Sequence, residues 1–484
     1  MSNMSQKRER DKSLGIWDLI LFTFCAVFIV DTVPASAAIG VSSITWWIIM
    51  AVMFFLPYGL ITAELGSTYP EQGGVYVWVK RAWGDKWGAR TSWLYWVNVA
   101  LWMPSVYIAF AGIFSQMFLP DMPMWGLVLI GITMTWVTVW FNIQHLSLSK
   151  WIPNIGAVTK LVVVLALIGA TIYYLASGQN FANDFSASSF APTLGTGLAF
   201  LPAIVYNMCG FELMSGAAGE MKNPKRDIPK AVIISAVLIT ATYLLSTFSI
   251  LATVPTENVN LIAGILDTLE VVFGDSGLGG AMVVFLGICI LFTFLANMVT
   301  WTIGANRTAV EAADSGELPK LFGKLTQKTQ APLGAAILTG LVSTTVFILY
   351  GFLATNAEDL FWTIFAFSGI VFLMPYAIIF PVFIHLRMKD KDIERPYKVP
   401  GPSWWVYTLA VVAELFILQG IVLFAWVPGE AIDWAYTGSV IAGVVVTVII
   451  GELLISRTSK KKIDTTTTQG PDRRGGGDHI KHAS

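Results

Sequence analysis

Four charged side chains stand inside apolar runs of this 484-residue chain: Asp31, Lys160, Glu212 and Glu414. Ionisable groups at membrane depth are costly and mark ion, proton or substrate sites. Asp31 lies in "FCAVFIVDTVPASAAIG" (24–40), three residues before Pro34. Pro34 lacks an N–H and displaces the carbonyl four residues earlier, so a helix must break here. Freed carbonyls and a carboxylate would together attract a cation; the alternative is that Asp31 caps the half-helix that follows. Glu212 lies in a second interrupted stretch, "LPAIVYNMCGFELMSGAAGE" (201–220), which contains Pro202, Asn207, Gly210 and Gly216. It either carries a proton or holds the broken helix by hydrogen bonds. Lys160 either couples ion and substrate movement or snorkels to an interface. Glu414 reads as structural or as an oligomer contact. Asn297 and Trp301 are four residues apart and share a helix face. An amide in hydrocarbon needs a partner, and a substrate ammonium would be one.

The elements that must position these residues are membrane spans. The chain is 55% hydrophobic and 13% charged, against about 25% charged in an average soluble domain. Twelve apolar runs are each long enough to cross a bilayer core of about 30 Å: 15–42, 46–66, 91–118, 124–142, 154–176, 194–218, 229–253, 277–306, 332–354, 359–386, 403–427 and 434–456. Lys and Arg follow the even-numbered runs, as in Lys80, Arg81, Lys86 and Arg90 or Arg387, Lys389 and Lys391. The opposite loops 177–190 and 355–360 hold none. Basic loops stay in the cytoplasm, so both termini are expected there. Residues 1–14 form an N-terminal segment and 15–456 one transporter domain. Residues 457–484 form a cytoplasmic tail, polar and Gly-rich beyond 465, that reads as disordered. With a net charge of −1, no nucleic-acid partner is expected. No metal-ligand spacing joins Cys25, Cys209 and Cys289, no nucleophile or phosphate-loop motif appears, and neither an enzymatic activity nor a cofactor is expected.

Interruptions at corresponding places in two halves of the chain point to an inverted-repeat secondary transporter, with its site at the breaks. Four stretches carry a resemblance: "ITAELGSTYPEQGGVYVWVKRAWG" (61–84), "GFELMSGAAGEMKNPKRDIPKA" (210–231), "IGANRTAVEAADSGELPKLF" (303–322) and "RPYKVPGP" (395–402). In order and spacing they resemble the amino acid–polyamine–organocation superfamily, nearest its bacterial glutamate/GABA-antiporter-like and amine-exchanger branches. The resemblance implies an all-α membrane fold of twelve transmembrane helices, a leucine-transporter-like 5+5 inverted repeat with helices 1 and 6 broken, and alternating access. It also implies a plasma-membrane location.

The resemblance further implies a site lined by Val30, Asp31, Asn98, Tyr206, Asn207, Gly210, Asn297 and Trp301. Lys160 resembles a lysine that stands in for a sodium ion between helices 1 and 8 in some relatives, and Glu212 is the second coupling candidate. Many members carry a glycine-rich helix 1 break that holds a substrate carboxylate. This chain has Ile29-Val30-Asp31 there, which puts that pocket in doubt. The reading is a proton-coupled or exchanging carrier of amino acids or their amine derivatives, leaning to cationic amines, in a monomer or homodimer. An exchanger of an acidic or neutral amino acid for its decarboxylation product is the alternative. A channel is a further one, though no filter-like loop supports it.

Overall fold

The computed structural model describes residues 14–144, 151–192, 200–274, 276–351, 356–427 and 431–468. His145 and the tail histidines His479 and His482 lie outside them. Among the described residues the regular secondary structure is helical, apart from one β-bridge between Leu14 and Met221. In chain order the α-helices are α1 (Ile16–Val27), α2 (Val33–Ala37), α3 (Ser42–Met50), α4 (Leu56–Thr68), α5 (Val75–Trp83), α6 (Asp85–Phe118), α7 (Met124–Asn142) and α8 (Trp151–Ala176). Then come α9 (Leu201–Asn207), α10 (Pro224–Thr253), α11 (Gly264–Phe273), α12 (Gly277–Asp314), α13 (Leu333–Gly351), α14 (Ala357–Lys389), α15 (Ser403–Ala425) and α16 (Trp434–Thr468). A π-helical turn, Ala51–Phe55, joins α3 to α4.

Among these residues, eleven helical stretches are long and apolar enough to cross a membrane. The sixth expected run, 194–218, is not one of them. Residues 193–199 lie outside the described set, and the rest divides into α9 and a 3-10 segment, Phe211–Glu220. Several helices outrun their apolar windows. For example, α6 begins at Asp85 and α12 runs on to Asp314. Hydrophobicity marks the lipid-facing length, whereas a helix continues wherever its backbone bonds persist. For the same reason α16 continues beyond the last apolar run, to Thr468.

Helix α6 runs buried through the middle of the molecule, packed on α7, α12, α13 and α14. Helix α1 is held by α8, α10 and α12. It ends at Val27, and Phe28 and Ile29 are extended. A 3-10 turn, Val30–Thr32, then leads into α2, where Pro34 sits in the first turn and needs no N–H partner. The second interruption passes through Gly210, whose φ of +127° disfavours any side chain. A Cβ there would stand 3.0 Å from Val27 and 3.1 Å from Trp301, so the two interruptions touch at this glycine.

The four signature stretches interlock on the face that carries the basic loops. Glu64 is fully buried and accepts from Arg387 (Nε 2.8 Å, Nη2 2.6 Å), Arg395 (3.1 Å) and the Val399 N–H (2.7 Å). Glu317 accepts from Tyr76 (2.8 Å) and from Lys80. The Gly73–Gly74 pair lets the loop before α5 meet the 3-10 segment: Gly73 N–H donates to Gly216 O at 3.4 Å. A Cβ on Gly74 would stand 2.9 Å from the Gly216 nitrogen.

Candidate functional site

A helix that stops in a membrane leaves its last carbonyls without partners. At the end of α1, side chains from three other helices take them up. Lys160 of α8 donates to Cys25 O (2.6 Å) and to Phe28 O. Trp301 of α12 donates its indole N–H to Ala26 O (2.9 Å). Tyr243 of α10 donates to Val27 O (2.7 Å) and accepts from the Ile29 N–H (2.8 Å). Ile29 O lies 3.0 Å from the Thr32 hydroxyl. The last carbonyls of α1 are therefore occupied, and the cation on two of them is Lys160; Val30 O, the carbonyl that Pro34 displaces, accepts from the Val33 N–H.

Lys160 is fully buried and uses its third donor on Asn297 Oδ1 at 3.1 Å. An ammonium has three hydrogens, so this one is saturated, and it ties α8 to α1 and α12. It does not snorkel.

Asp31 is in the opposite condition. It is 1% exposed, and neither carboxylate oxygen has a hydrogen-bond partner on another residue. The expected alternative, a cap on α2, is not formed: α2 has no side-chain cap bond. Lys160 and Tyr206 are within electrostatic reach of Asp31, yet neither bonds to it. A buried carboxylate without a partner costs several kcal/mol.

Glu212 is also 1% exposed, but it is surrounded. Tyr95 (2.7 Å), Tyr376 (2.6 Å) and Tyr58 all donate to it. The Tyr58 oxygen in turn accepts from Gly210 N–H and Phe211 N–H, both at 3.1 Å. Three tyrosines thus pin the second interruption to α4, α6 and α14. Phe55, at the end of the π-helical turn, stacks on Phe211 with ring centroids 4.6 Å apart.

The other expected residues gather around these two points. The turn containing Val30 and Asp31 packs against α12, which carries Asn297 and Trp301. Next to Asp31, Thr32 lies 2.6 Å from Asn207 Oδ1. Asn207 Nδ2, Asn297 Nδ2, the Tyr206 hydroxyl and both amide atoms of Asn98 are buried without partners. Glu414, on α15, lies apart from this group and is half-buried, with one oxygen unpartnered.

Sequence reasoning missed Tyr58, Tyr95, Tyr243, Tyr376 and Trp102. Trp102 packs edge-on against Tyr206 (5.6 Å between centroids) and Trp301 (5.8 Å). A phenol or indole inside an apolar run is the only local signal such residues give, and this chain has 14 Tyr and 19 Trp.

The profile of the amino acid permease family matches residues 14–450. The chain belongs to this family. Relatives of this permease align over nearly their whole length. It is 34% identical to a probable agmatine/putrescine antiporter of Lactococcus lactis over 449 residues, 92% of this chain and 95% of that one. It is 28% identical to an uncharacterized transporter of Legionella pneumophila over 450 residues, 86% and 96% of the two chains. A glutamate/gamma-aminobutyrate antiporter of Lactococcus lactis is 22% identical over 472 residues, 94% and 92% of the two. The permease is a multi-pass membrane protein.

Proposed function

We propose that this permease is a secondary antiporter of amino acids and their amine derivatives that favours cationic amines, with the substrate ammonium bound at Asp31. One observation carries the proposal: a fully enclosed carboxylate with no partner on another residue, at a chain interruption whose carbonyls are already taken by Lys160, Trp301 and Tyr243. A substrate cation would remove the cost of that charge. The names of the two Lactococcus relatives, an agmatine/putrescine and a glutamate/gamma-aminobutyrate antiporter, support exchange of this substrate class.

The proposal includes twelve spans in a 5+5 inverted repeat, with the α1–α2 and α9–Phe211 interruptions as its broken helices 1 and 6. It places the protein in the plasma membrane with both termini in the cytoplasm. Lys160 acts as a fixed cation that couples α8 to the first interruption. For Glu212, the three tyrosine donors favour the structural reading over the proton carrier.

The test is competition against labelled putrescine in proteoliposomes, using putrescine, agmatine, gamma-aminobutyrate and glutamate. Asp31→Asn keeps the size, removes the charge, and is expected to weaken amine binding at least tenfold, about 1.4 kcal/mol. If glutamate or gamma-aminobutyrate competes best and Asp31→Asn leaves the ranking unchanged, the acidic or neutral amino acid exchanger replaces this reading. Saturable uptake stimulated by internal substrate separates a carrier from a channel.

A further inference from the structure

The unpartnered polar atoms around the interruptions are not evenly divided between donors and acceptors. Beside Trp301 two of them are donors without ambiguity; a third, the indole nitrogen of Trp47, lies against Tyr243. An indole nitrogen can only donate, and that of Trp102 is fully buried with no acceptor. Asn297 presents Oδ1 to the Lys160 ammonium. An ammonium cannot accept a hydrogen bond, so the amide orientation is fixed and its unpartnered atom is the NH2 group. Both donors flank Trp301. Trp102 packs against that ring, and Asn297 stands one turn before it on α12.

Trp301 itself is not available, because its N–H is committed to Ala26 O. On α6, Tyr95, Asn98 and Trp102 share one face, and the first and last of them both pack against Trp301. This face therefore brings a free donor to the site.

A diamine, all donor when protonated, satisfies Asp31 and leaves Trp102 and Asn297 with nothing to bond. We propose that Trp102 is a specificity-determining residue which, with Asn297, receives a carboxylate on the transported molecule. One of the two exchanged molecules is then an amino acid that carries an ammonium for Asp31 and a carboxylate for the Trp102 N–H. This inference rests on the antiporter reading above, with Asp31 as the ammonium site.

The experiment compares putrescine with ornithine, which has the same carbon chain and amines plus one carboxylate. Both compete against labelled putrescine in proteoliposomes containing wild type or Trp102→Phe. Phenylalanine keeps an aromatic ring and removes the N–H. The expected result is that both compounds compete in the wild type. Trp102→Phe then raises the half-inhibiting ornithine concentration at least fivefold, about 1 kcal/mol, and moves that of putrescine less than twofold. Putrescine uptake in the wild type without competition by ornithine overturns the inference and leaves the amine reading standing. So does an equal change, or none, for the two compounds in Trp102→Phe. Wild type that takes up no putrescine, or Asp31→Asn that binds it unweakened, overturns the amine reading and this inference with it. The melting temperature of Trp102→Phe is read first; if that variant does not fold, the two wild-type competition curves decide.

Discussion

The two interruptions of this permease each hold a carboxylate at 1% exposure, and the two are treated in opposite ways. Glu212 receives three tyrosine hydroxyls; Asp31 receives no bond from another residue. Burial alone therefore does not identify a binding group. A charge whose bonds are complete holds chain segments together, and a charge whose bonds are missing waits for a partner from outside. The buried cation follows the same rule. Lys160 is saturated by two carbonyls and an amide, so it belongs to the frame of the first interruption and cannot neutralise Asp31 through a direct bond.

The largest effect that tests this contrast is on stability. Glu212→Ala leaves three buried hydroxyls without their acceptor. Each orphaned donor costs about 1–3 kcal/mol. Some re-pairing among the tyrosines leaves a loss on the order of 3 kcal/mol. Asp31→Asn removes a charge that has no bonds to lose, and its stability is expected to equal or exceed that of wild type. Thermal unfolding of the purified variants reads both. Equal losses for the two would mean that Asp31 is as well satisfied in solution as Glu212, and the contrast would disappear.

Lys160→Ala comes next. It strips the ammonium from Cys25 O, Phe28 O and Asn297 and unties α8 from α1. Uptake per mole of inserted protein is expected to fall at least tenfold, about 1.4 kcal/mol, while the amount of protein in the membrane falls far less. Near-normal uptake would reduce Lys160 to a packing residue and remove the coupling role from the proposal.

How much of this was readable beforehand follows from the range of the interactions. Asp31, Lys160 and Glu212 stand out from their apolar neighbours, so the sequence alone singles them out. Which of them is satisfied depends on distant partners: those of Glu212 lie 117, 154 and 164 residues away, and nothing near "GFELMSG" announces them. Pro34 stands in the first turn of α2, after the interruption that follows α1. It did not reveal that Lys160, Tyr243 and Trp301 would take the carbonyls at the end of α1, since each comes from a different helix. Trp301 was singled out through family resemblance, whereas Trp102, with the free N–H, was one tryptophan among many. The signature stretches matched as text, and their physical content is the set of interlocks on the basic face: Glu64 with Arg387 and Arg395, Glu317 with Lys80, Gly74 against Gly216.

A third carboxylate separates bonding from burial as the source of the Glu212 effect. Asp390 follows α14 and lies outside the membrane spans. Like Glu212 it is well bonded, to Arg81 Nε at 2.7 Å and to Tyr69 Oη at 3.0 Å. Desolvation alone would raise its carboxyl. The hydrogen bonds from Arg81 and Tyr69 and the charges of Arg81 and Lys389 outweigh that and hold it below the usual carboxylate range. A depressed carboxyl stabilises the fold above its unfolded value of about 3.9. That contribution is lost as pH falls through the lower folded value, because protonation then removes the charge from both states. Asp390 has far more access to water than Glu212, so water and salt compete for its partners. Exposed pairs of this kind contribute about 0–1 kcal/mol. Asp390→Asn is therefore expected to lower the melting temperature at neutral pH by no more than about 2 °C, the scale of such a change in a chain of this size. The difference from wild type is expected to close below about pH 4. A loss as large as that of Glu212→Ala would show that the number of hydrogen bonds, rather than their enclosure away from water, sets what these carboxylates contribute.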